Sequence, residues 1–159
     1  MEIDVKKLVP SWVVQEKTHS VTLWFSDVRG NYNRKAFELP KKILVDRTFA
    51  EAIGMFLGDG DMHRKEKGHL TYASIDVDIA AVILDFLRQR LLVQNKDITM
   101  SVHYRYENPN IKMIARLLGY EQSRITVRVF ERNRHPAIHI QVNGKVFRLM
   151  FENKNGGDI

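Results

Sequence analysis

The segment from Phe49 to Asp61 constrains the fold most, because small residues recur in it at helical spacing. Ala50, Gly54 and Gly58 stand four residues apart, so a helix here presents one continuous strip without bulky side chains. Glycine costs a helix roughly 1 kcal/mol relative to alanine, so two glycines on one strip need a reason. Close approach of a second helix backbone is such a reason. This strip, the small-residue seam, predicts a helix over residues 48–57 that packs against another helix.

Two carboxylates follow the seam directly. Asp59 and Asp61 alternate with Gly58 and Gly60 where the helix ends. Two such helices crossing side by side would bring two copies of Asp59 together, and paired carboxylates hold hard divalent cations such as Mg²⁺ or Mn²⁺. The alternative is a structural helix contact that ends in an ordinary turn, because aspartate and glycine are both common turn residues.

The run Ala52-Ile53-Gly54-Met55-Phe56-Leu57-Gly58-Asp59-Gly60 resembles the LAGLIDADG motif of homing endonucleases. Leu39-Pro40-Lys41-Lys42 resembles the lead-in to that motif, and the similarity continues loosely over most of residues 37–151. In one departure, Leu57 stands where many members of the family carry the first aspartate of the motif. The second aspartate, which binds the metal ion in the family, corresponds to Asp59.

The resemblance implies an α+β fold of the LAGLIDADG endonuclease type, in the order αββαββα, with an antiparallel saddle sheet backed by helices. It places an endonuclease-like domain at residues 48–159, after an N-terminal β-rich extension over residues 1–47. The implied activity is site-specific cutting of double-stranded DNA by divalent-metal-assisted hydrolysis. A catalytically inactive nucleic-acid-binding module of the same fold, such as a maturase or a transcription regulator, remains the alternative.

The resemblance also assigns roles to residues. Asp59 and the Gly58 carbonyl would hold Mg²⁺ or Mn²⁺, Lys145 would lie near the reacting phosphate, and Asp76 would position water. Because the chain carries one copy of the motif, the partner is expected to be a second copy in a homodimer, or a second LAGLIDADG half. The predicted interface consists of Ala50, Ile53, Gly54, Leu57 and Gly58.

The positive charge of the chain is concentrated in one region. The 159 residues carry a formal net charge of +6, and residues 99–148 hold nine basic residues against three acidic ones, which equals that whole excess. Concentrated positive charge indicates a polyanionic partner, most simply double-stranded DNA. A merely basic surface is the alternative.

Three segments in the same region, Ile98–Tyr106, Ile125–Glu131 and Ala137–Val142, alternate with period two. The alternation predicts strands of a sheet that packs against the core on one face and is exposed to solvent on the other. Val127 and Val129 are expected on the packed face. Arginine, glutamine and asparagine on a wet side suit base edges and phosphates, although an ordinary solvated face would also show polar residues. The predicted DNA contacts are His103, Arg105, Arg124, Arg128, Arg132, Arg134, His139, Gln141 and Asn143.

Other segments complete the expected order of elements. Short strands are predicted in the extension, with a loop at Asp27–Asn33, and further helices at Val77–Leu91, Ile111–Leu118 and Val146–Phe151. Gly119 would end the second of these helices. The chain has no cysteine, no apolar run of membrane-spanning length and no signal-peptide pattern, so a cytoplasmic protein without a membrane partner is expected.

Overall fold

A computed structural model of the chain describes residues 2–8, 12–26, 32–59, 69–131 and 135–143. The α-helices are α1 (Val5–Leu8), α2 (Arg47–Asp59), α3 (Val77–Asp85) and α4 (Ile111–Leu117). Phe86–Arg90 continues α3 as a π-helical turn, and 3₁₀ turns span Asn95–Asp97 and Gln122–Arg124. The strands are β1 (Glu2–Asp4), β2 (Val13–Glu16), β3 (Ser20–Ser26), β4 (Tyr32–Pro40), β5 (Lys42–Leu44), β6 (His69–Ser74), β7 (Ile98–Tyr104), β8 (Ile125–Val129) and β9 (Ala137–Asn143). The fold is therefore of the α+β class.

Two small antiparallel sheets precede α2. Strands β2, β3 and β4 form one, and β1 pairs with β5 in the other. Val21, Leu23 and Leu39 are buried and join the common hydrophobic core. The expected loop at 27–33 is wrong at Tyr32 and Asn33, which belong to β4, and its first five residues lie outside the described ranges. β1 and β5 were not predicted, because three residues are too short for a periodic signal.

The main sheet has four strands in the order β6-β9-β7-β8. β9 is antiparallel to both of its neighbours, whereas β7 and β8 run parallel. The prediction of an antiparallel sheet is therefore wrong for the β7–β8 pair. The reason is α4, which lies between the two strands in the chain and carries it back so that β8 starts beside the start of β7.

The helices cover one side of this sheet. Buried side chains alternate along the central strands, with Met100 and Val102 on β7 and Ile138, Ile140 and Val142 on β9. From α3 and its π-helical turn, apolar residues of the same core are buried with them, namely Ala80, Ile83, Leu84, Phe86 and Leu87. No helix within the described ranges is long and apolar enough to cross a bilayer.

Two aromatic contacts hold α2 in place. The ring centroids of Phe49 and Phe86 lie 5.7 Å apart, and those of Phe56 and Tyr72 lie 5.4 Å apart in an edge-on arrangement. All four rings are buried, as is Ala52 between the two phenylalanines of α2. These contacts determine which side of α2 faces the core, and hence where the small-residue seam points.

Polar contacts fix the ends of the helices. Asp46 accepts a hydrogen bond of 2.9 Å from the Phe49 N–H at the start of α2 and pairs with Arg90 at 2.5 Å. That N–H bond, followed by the charge of Arg90, lowers the pKa of Asp46. At the end of α4, Gly119 adopts φ +55°, as expected for a helix-ending glycine, and Arg88 donates to the carbonyls of Leu118 and Gly119.

Truncation of the aromatic anchor of α2 tests this packing. Phe56→Ala should lower the free energy of unfolding by about 3–5 kcal/mol, because it leaves a cavity against Tyr72. The same truncation at the exposed Ile79 should cost less than about 1 kcal/mol. Urea denaturation monitored by circular dichroism measures both losses, and equal losses at the two positions would contradict the described packing of α2.

Candidate nucleic-acid interface

The side of the main sheet that faces away from the helices is polar. Along β7 and β9, residues that are half-buried or exposed alternate with the buried core residues. The outer face, which we call the polar face, is built by Thr71, Thr99, Ser101, His103, Thr126, Arg128, His139, Gln141 and Asn143. Among these residues there is no acid, so the face combines positive charge with neutral hydrogen-bonding groups.

The strand register arranges these side chains in rows. His103 stands opposite Arg128 on one neighbouring strand and Ala137 on the other. His139 lies on the same face two residues beyond Ala137 on β9, opposite Ser101 and Ala73. The two histidines are therefore diagonal neighbours, close enough for their rings to meet.

The rings of Phe130, His103 and His139 form a cluster that we call the histidine stack. The two imidazole centroids lie 3.8 Å apart with an angle of 28° between the rings. Phe130 stacks nearly parallel to His103 at 4.9 Å, and Ser101 Oγ lies 3.0 Å from His103 Nε2. Contacts in several directions therefore fix the orientation of His103, and His103 in turn supports His139.

The environment of the stack keeps its imidazoles neutral. Burial lowers the pKa of His103, with a further contribution from the positive charge of Arg128. Burial also lowers the pKa of His139 to about 4, assisted by His103 and Arg128. Both rings are consequently uncharged at neutral pH and can donate or accept hydrogen bonds without adding charge.

An amide network lies beside the stack. Gln141 Nε2 donates to Asn143 Oδ1 at 2.7 Å, and Asn143 Nδ2 donates to Thr99 Oγ1 at 3.1 Å. These bonds hold two carboxamide groups, two residues apart on the same face of β9, in defined orientations. Oriented carboxamides are the groups that pair with adenine edges in a DNA major groove.

The predicted arginine contacts divide into three groups. Arg128 lies on the polar face. Arg105 follows the end of β7 with its guanidinium 4.4 Å from the Tyr106 ring centroid, and Arg124 precedes β8 with its guanidinium 5.5 Å from the Tyr120 ring centroid. Arg132 and Arg134 lie outside the described residues. Five of the nine predicted DNA contacts thus share the polar face, namely His103, Arg128, His139, Gln141 and Asn143.

The structure corrects the predicted packing of β8. Val127 and Val129 were expected on the packed side, but they are 42% and 66% exposed. β8 is an edge strand of the sheet, and only its first residue, Ile125, is buried. Phe130 and Ser101 belong to the site although they were not among the predicted contacts. Their period-two spacing from Arg128 and His103 is the signal that could have included them.

The small-residue seam is not covered by the part of the chain that the structure describes. Ala50 and Gly54 are exposed, and a Cβ atom added at Gly54 would meet nothing within 4 Å. Ile53, also predicted at the interface, is half-buried against the core. The backbone of α2 extends through Asp59, whereas the side chains of Leu57 and Asp59 and any side-chain environment at Gly58 lie outside the description.

Of the remaining predicted catalytic residues, the structure describes Asp76 but not Lys145. Asp76 caps α3, because its Oδ1 accepts hydrogen bonds from the N–H groups of Asp78 at 2.8 Å and Ile79 at 3.3 Å. Its predicted role in positioning water stays a prediction. Lys145 and the expected helix at 146–151 lie outside the described residues. Within the described ranges, no group of three or more histidine, aspartate or glutamate side chains is arranged to hold a metal ion.

Comparison of the chain with known proteins returns no matching protein-family model, no matching curated protein and no matching solved structure.

The histidine stack predicts a pH dependence of stability. The pKa of His139 is about 4 in the folded chain against an ordinary 6.5, so between these values the unfolded chain binds more protons. The free energy of unfolding should therefore fall as pH is lowered from 6.5 towards 4, and this contribution should be fully present above 6.5.

Thermal melts at pH 7 and pH 4.5 measure this effect. The Tm of His139→Gln should fall less from pH 7 to pH 4.5 than the Tm of the wild type, because glutamine does not titrate. His19→Gln is the matched control, since this exposed histidine lies outside the main sheet, and it should behave as the wild type does. Equal losses in all three proteins would contradict the lowered pKa of His139.

Proposed function

We propose that this chain is a metal-dependent DNA endonuclease that resembles the LAGLIDADG homing endonucleases and binds double-stranded DNA with its polar face. The observation that carries the proposal is the convergence of His103, Arg128, His139 and Gln141 on one side of a four-stranded sheet. The motif residues of α2 add the catalytic part of the hypothesis.

The two central strands of the polar face would present their side chains to a DNA major groove. β7 and β9 are seven residues each and lie side by side between β8 and β6. At about 3.3 Å per residue each strand spans roughly 23 Å, and side chains that project from these two strands would enter a groove about 12 Å wide. In this arrangement Gln141 and the histidine stack would face base edges, whereas Arg128 on β8 would contact phosphate.

The seam supplies a surface for assembly. Ala50 and Gly54 form an exposed strip without long side chains, while Phe49 and Phe56 of the same helix are buried in the core. A second α2 helix could therefore approach closely without repacking the core. The partner would be a second copy of this chain or a second LAGLIDADG half.

The catalytic hypothesis concerns the end of α2. Asp59 and the Gly58 carbonyl would hold Mg²⁺ or Mn²⁺ where two α2 helices meet over the DNA. Such an ion, when bound, neutralises charge on the phosphate and lowers the pKa of water. Lys145 would stabilise the negative charge that develops at phosphorus, and the finer LAGLIDADG fold assignment belongs to this same proposal.

A non-catalytic nucleic-acid-binding module is the second candidate. The capping role of Asp76 favours it, since the start of α3 accounts for this carboxylate without any catalytic function. The two candidates agree on the polar face and differ in whether Asp59, Lys145 and Asp76 have catalytic roles.

Substitution of Asp59 separates the two functions. Incubation of the wild type with supercoiled plasmid carrying a selected target and Mg²⁺ should give nicked and linear products, and Asp59→Asn should reduce the rate by at least about 100-fold with DNA affinity retained. Asp85→Asn is the matched control, because Asp85 is an exposed aspartate on α3, and it should cut normally. DNA binding without cutting in any divalent metal would reject the enzyme and leave the module.

Substitution of Gly54 tests the seam. Gly54→Ala should raise the stability of the single chain by up to about 1 kcal/mol, because alanine favours helix and no atom of the described residues lies within 4 Å of the added methyl group. Gly54→Leu should weaken self-association on DNA, because the larger side chain prevents close approach of two helices.

Urea denaturation measures the first effect, and sedimentation velocity of the DNA complex measures the second. Glu51→Leu is the control for added bulk, since Glu51 is exposed on the same helix but off the seam. Normal pairing of Gly54→Leu would contradict the role of the seam.

A further inference from the structure

The amide network leaves one edge of a carboxamide open on the polar face. Gln141 uses one proton of Nε2 to bond Asn143 Oδ1 at 2.7 Å. The second Nε2 proton and the Oε1 atom of Gln141 make no hydrogen bond to the described residues. A carboxamide whose N–H lies beside its carbonyl oxygen can donate and accept at once. This edge of Gln141 therefore matches a partner that offers an acceptor next to a donor.

Asn143 has a different position in the amide network. Its Oδ1 accepts from Gln141, and its Nδ2 donates to Thr99 Oγ1 at 3.1 Å. Both ends of this carboxamide are therefore used within the sheet. The sequence pattern predicted a direct DNA contact for Asn143, whereas the observed bonds favour an indirect role in which Asn143 orients Gln141.

Thr99 anchors the amide network from the neighbouring strand. It stands directly opposite Gln141 on β7, and its hydroxyl is the acceptor for Asn143 Nδ2. Thr71 stands opposite Gln141 on the other neighbouring strand, β6, and no hydrogen bond joins its side chain to the described residues of the network. The two threonines thus share residue type and register and differ in the bond to Asn143.

Adenine carries the groups that match the open edge of Gln141. In the major groove its N7 accepts and its N6 amino group donates, whereas guanine presents two acceptors at the same edge. We propose that Gln141 selects adenine at one position of the bound duplex, and that Asn143 and Thr99 are positioning residues that hold its carboxamide for this contact. This inference rests on the proposed function, because it requires that the polar face binds DNA.

A held carboxamide discriminates between bases better than a freely rotating one. Rotation about the terminal torsion of glutamine is soft and roughly two-fold, so it exchanges the donor with the acceptor. The bonds to Asn143 and Thr99 oppose this exchange. They also order Gln141 before DNA arrives, so that less side-chain entropy is lost on binding. Loss of the Thr99 hydroxyl should therefore reduce selectivity although this hydroxyl reads no base.

Base preference is measured in two steps. Selection from a randomised duplex library defines the site, and the relevant position is the one at which Gln141→Ala changes the preference. Four duplexes that differ at this position are then compared by fluorescence anisotropy. The wild type should bind adenine about 5- to 150-fold more tightly than the other bases, and Gln141→Ala should lose this preference. The preference is a ratio of Kd values within each protein, so a uniform loss of affinity does not affect it.

The same four duplexes test the positioning residues. Thr99→Val removes the hydroxyl but keeps the shape of the side chain, and it should reduce the preference for adenine by about two- to tenfold. Asn143→Ala should reduce it likewise. Thr99→Ser retains the acceptor and should keep the wild-type preference, as should the matched control Thr71→Val. Equal preferences in Thr99→Val and Thr71→Val would overturn the positioning role.

A modified base tests the contact of Gln141 itself. A duplex with 7-deazaadenine at the same position lacks the N7 acceptor but keeps the N6 amino group. The wild type should bind this duplex about two- to tenfold more weakly than the adenine duplex, and Gln141→Ala should bind both equally. An equal loss in the two proteins would mean that another group reads the adenine, and would overturn the role of Gln141.

Two outcomes separate this inference from the proposed function. Salt-sensitive duplex binding in which Gln141→Ala keeps every base preference of the wild type, or in which Gln141 selects guanine, would overturn the assignment of adenine and leave the proposed function standing. Absence of salt-sensitive binding to any duplex would overturn both.

Discussion

The arrangement of this protein depends on the packing of its helices against one side of the β6-β9-β7-β8 sheet. Met100, Ile140 and Val142 form part of a continuous apolar layer on that side, where they are buried with Leu84 and Leu87. Because strand side chains alternate, burial of one set directs the intervening set to the opposite face. The hydrophobic core thus determines which side chains form the polar face, although no core residue lies on that face. A shift of one residue in the register of β9 would turn His139 and Gln141 inward.

In the proposed function, the polar face would combine two kinds of recognition. Arg128 supplies permanent charge, while the amide network and the histidine stack supply oriented groups that are neutral at neutral pH. Charge attracts any polyanion, whereas oriented neutral groups distinguish one base edge from another.

Local features with a long periodic signal were predictable from the sequence. The strand predicted over 98–106 is confirmed as far as Tyr104 and is wrong at Arg105 and Tyr106, where Tyr106 is exposed. The alternation in 137–143, the helix from Val77 and the end of α4 at Gly119 are confirmed. The parallel pairing of β7 with β8 was not predicted, because strand direction depends on the route of the chain through α4. The same alternation in β8 was misinterpreted at Val127 and Val129, since period alone does not tell an outer strand from a central one.

The candidate site was predictable by residue type more than by geometry. His103, His139 and Gln141 were expected on one face and lie there, but stacking depends on diagonal positions across two strands that only the register supplies. The roles of Asp59, Gly58 and Lys145 remain predictions from the motif. They concern an arrangement between two chains, which the pattern of one chain implies only through resemblance.

The central claim is that duplex DNA binds to the polar face. Chemical-shift mapping of the labelled chain with a random-sequence duplex tests this directly, because each backbone amide reports its own surroundings. The account predicts that the largest changes occur at Thr99, Ser101, His103, Arg128, His139 and Gln141. Changes centred instead on the exposed side of α4, at Lys112, Met113 and Arg116, would contradict it.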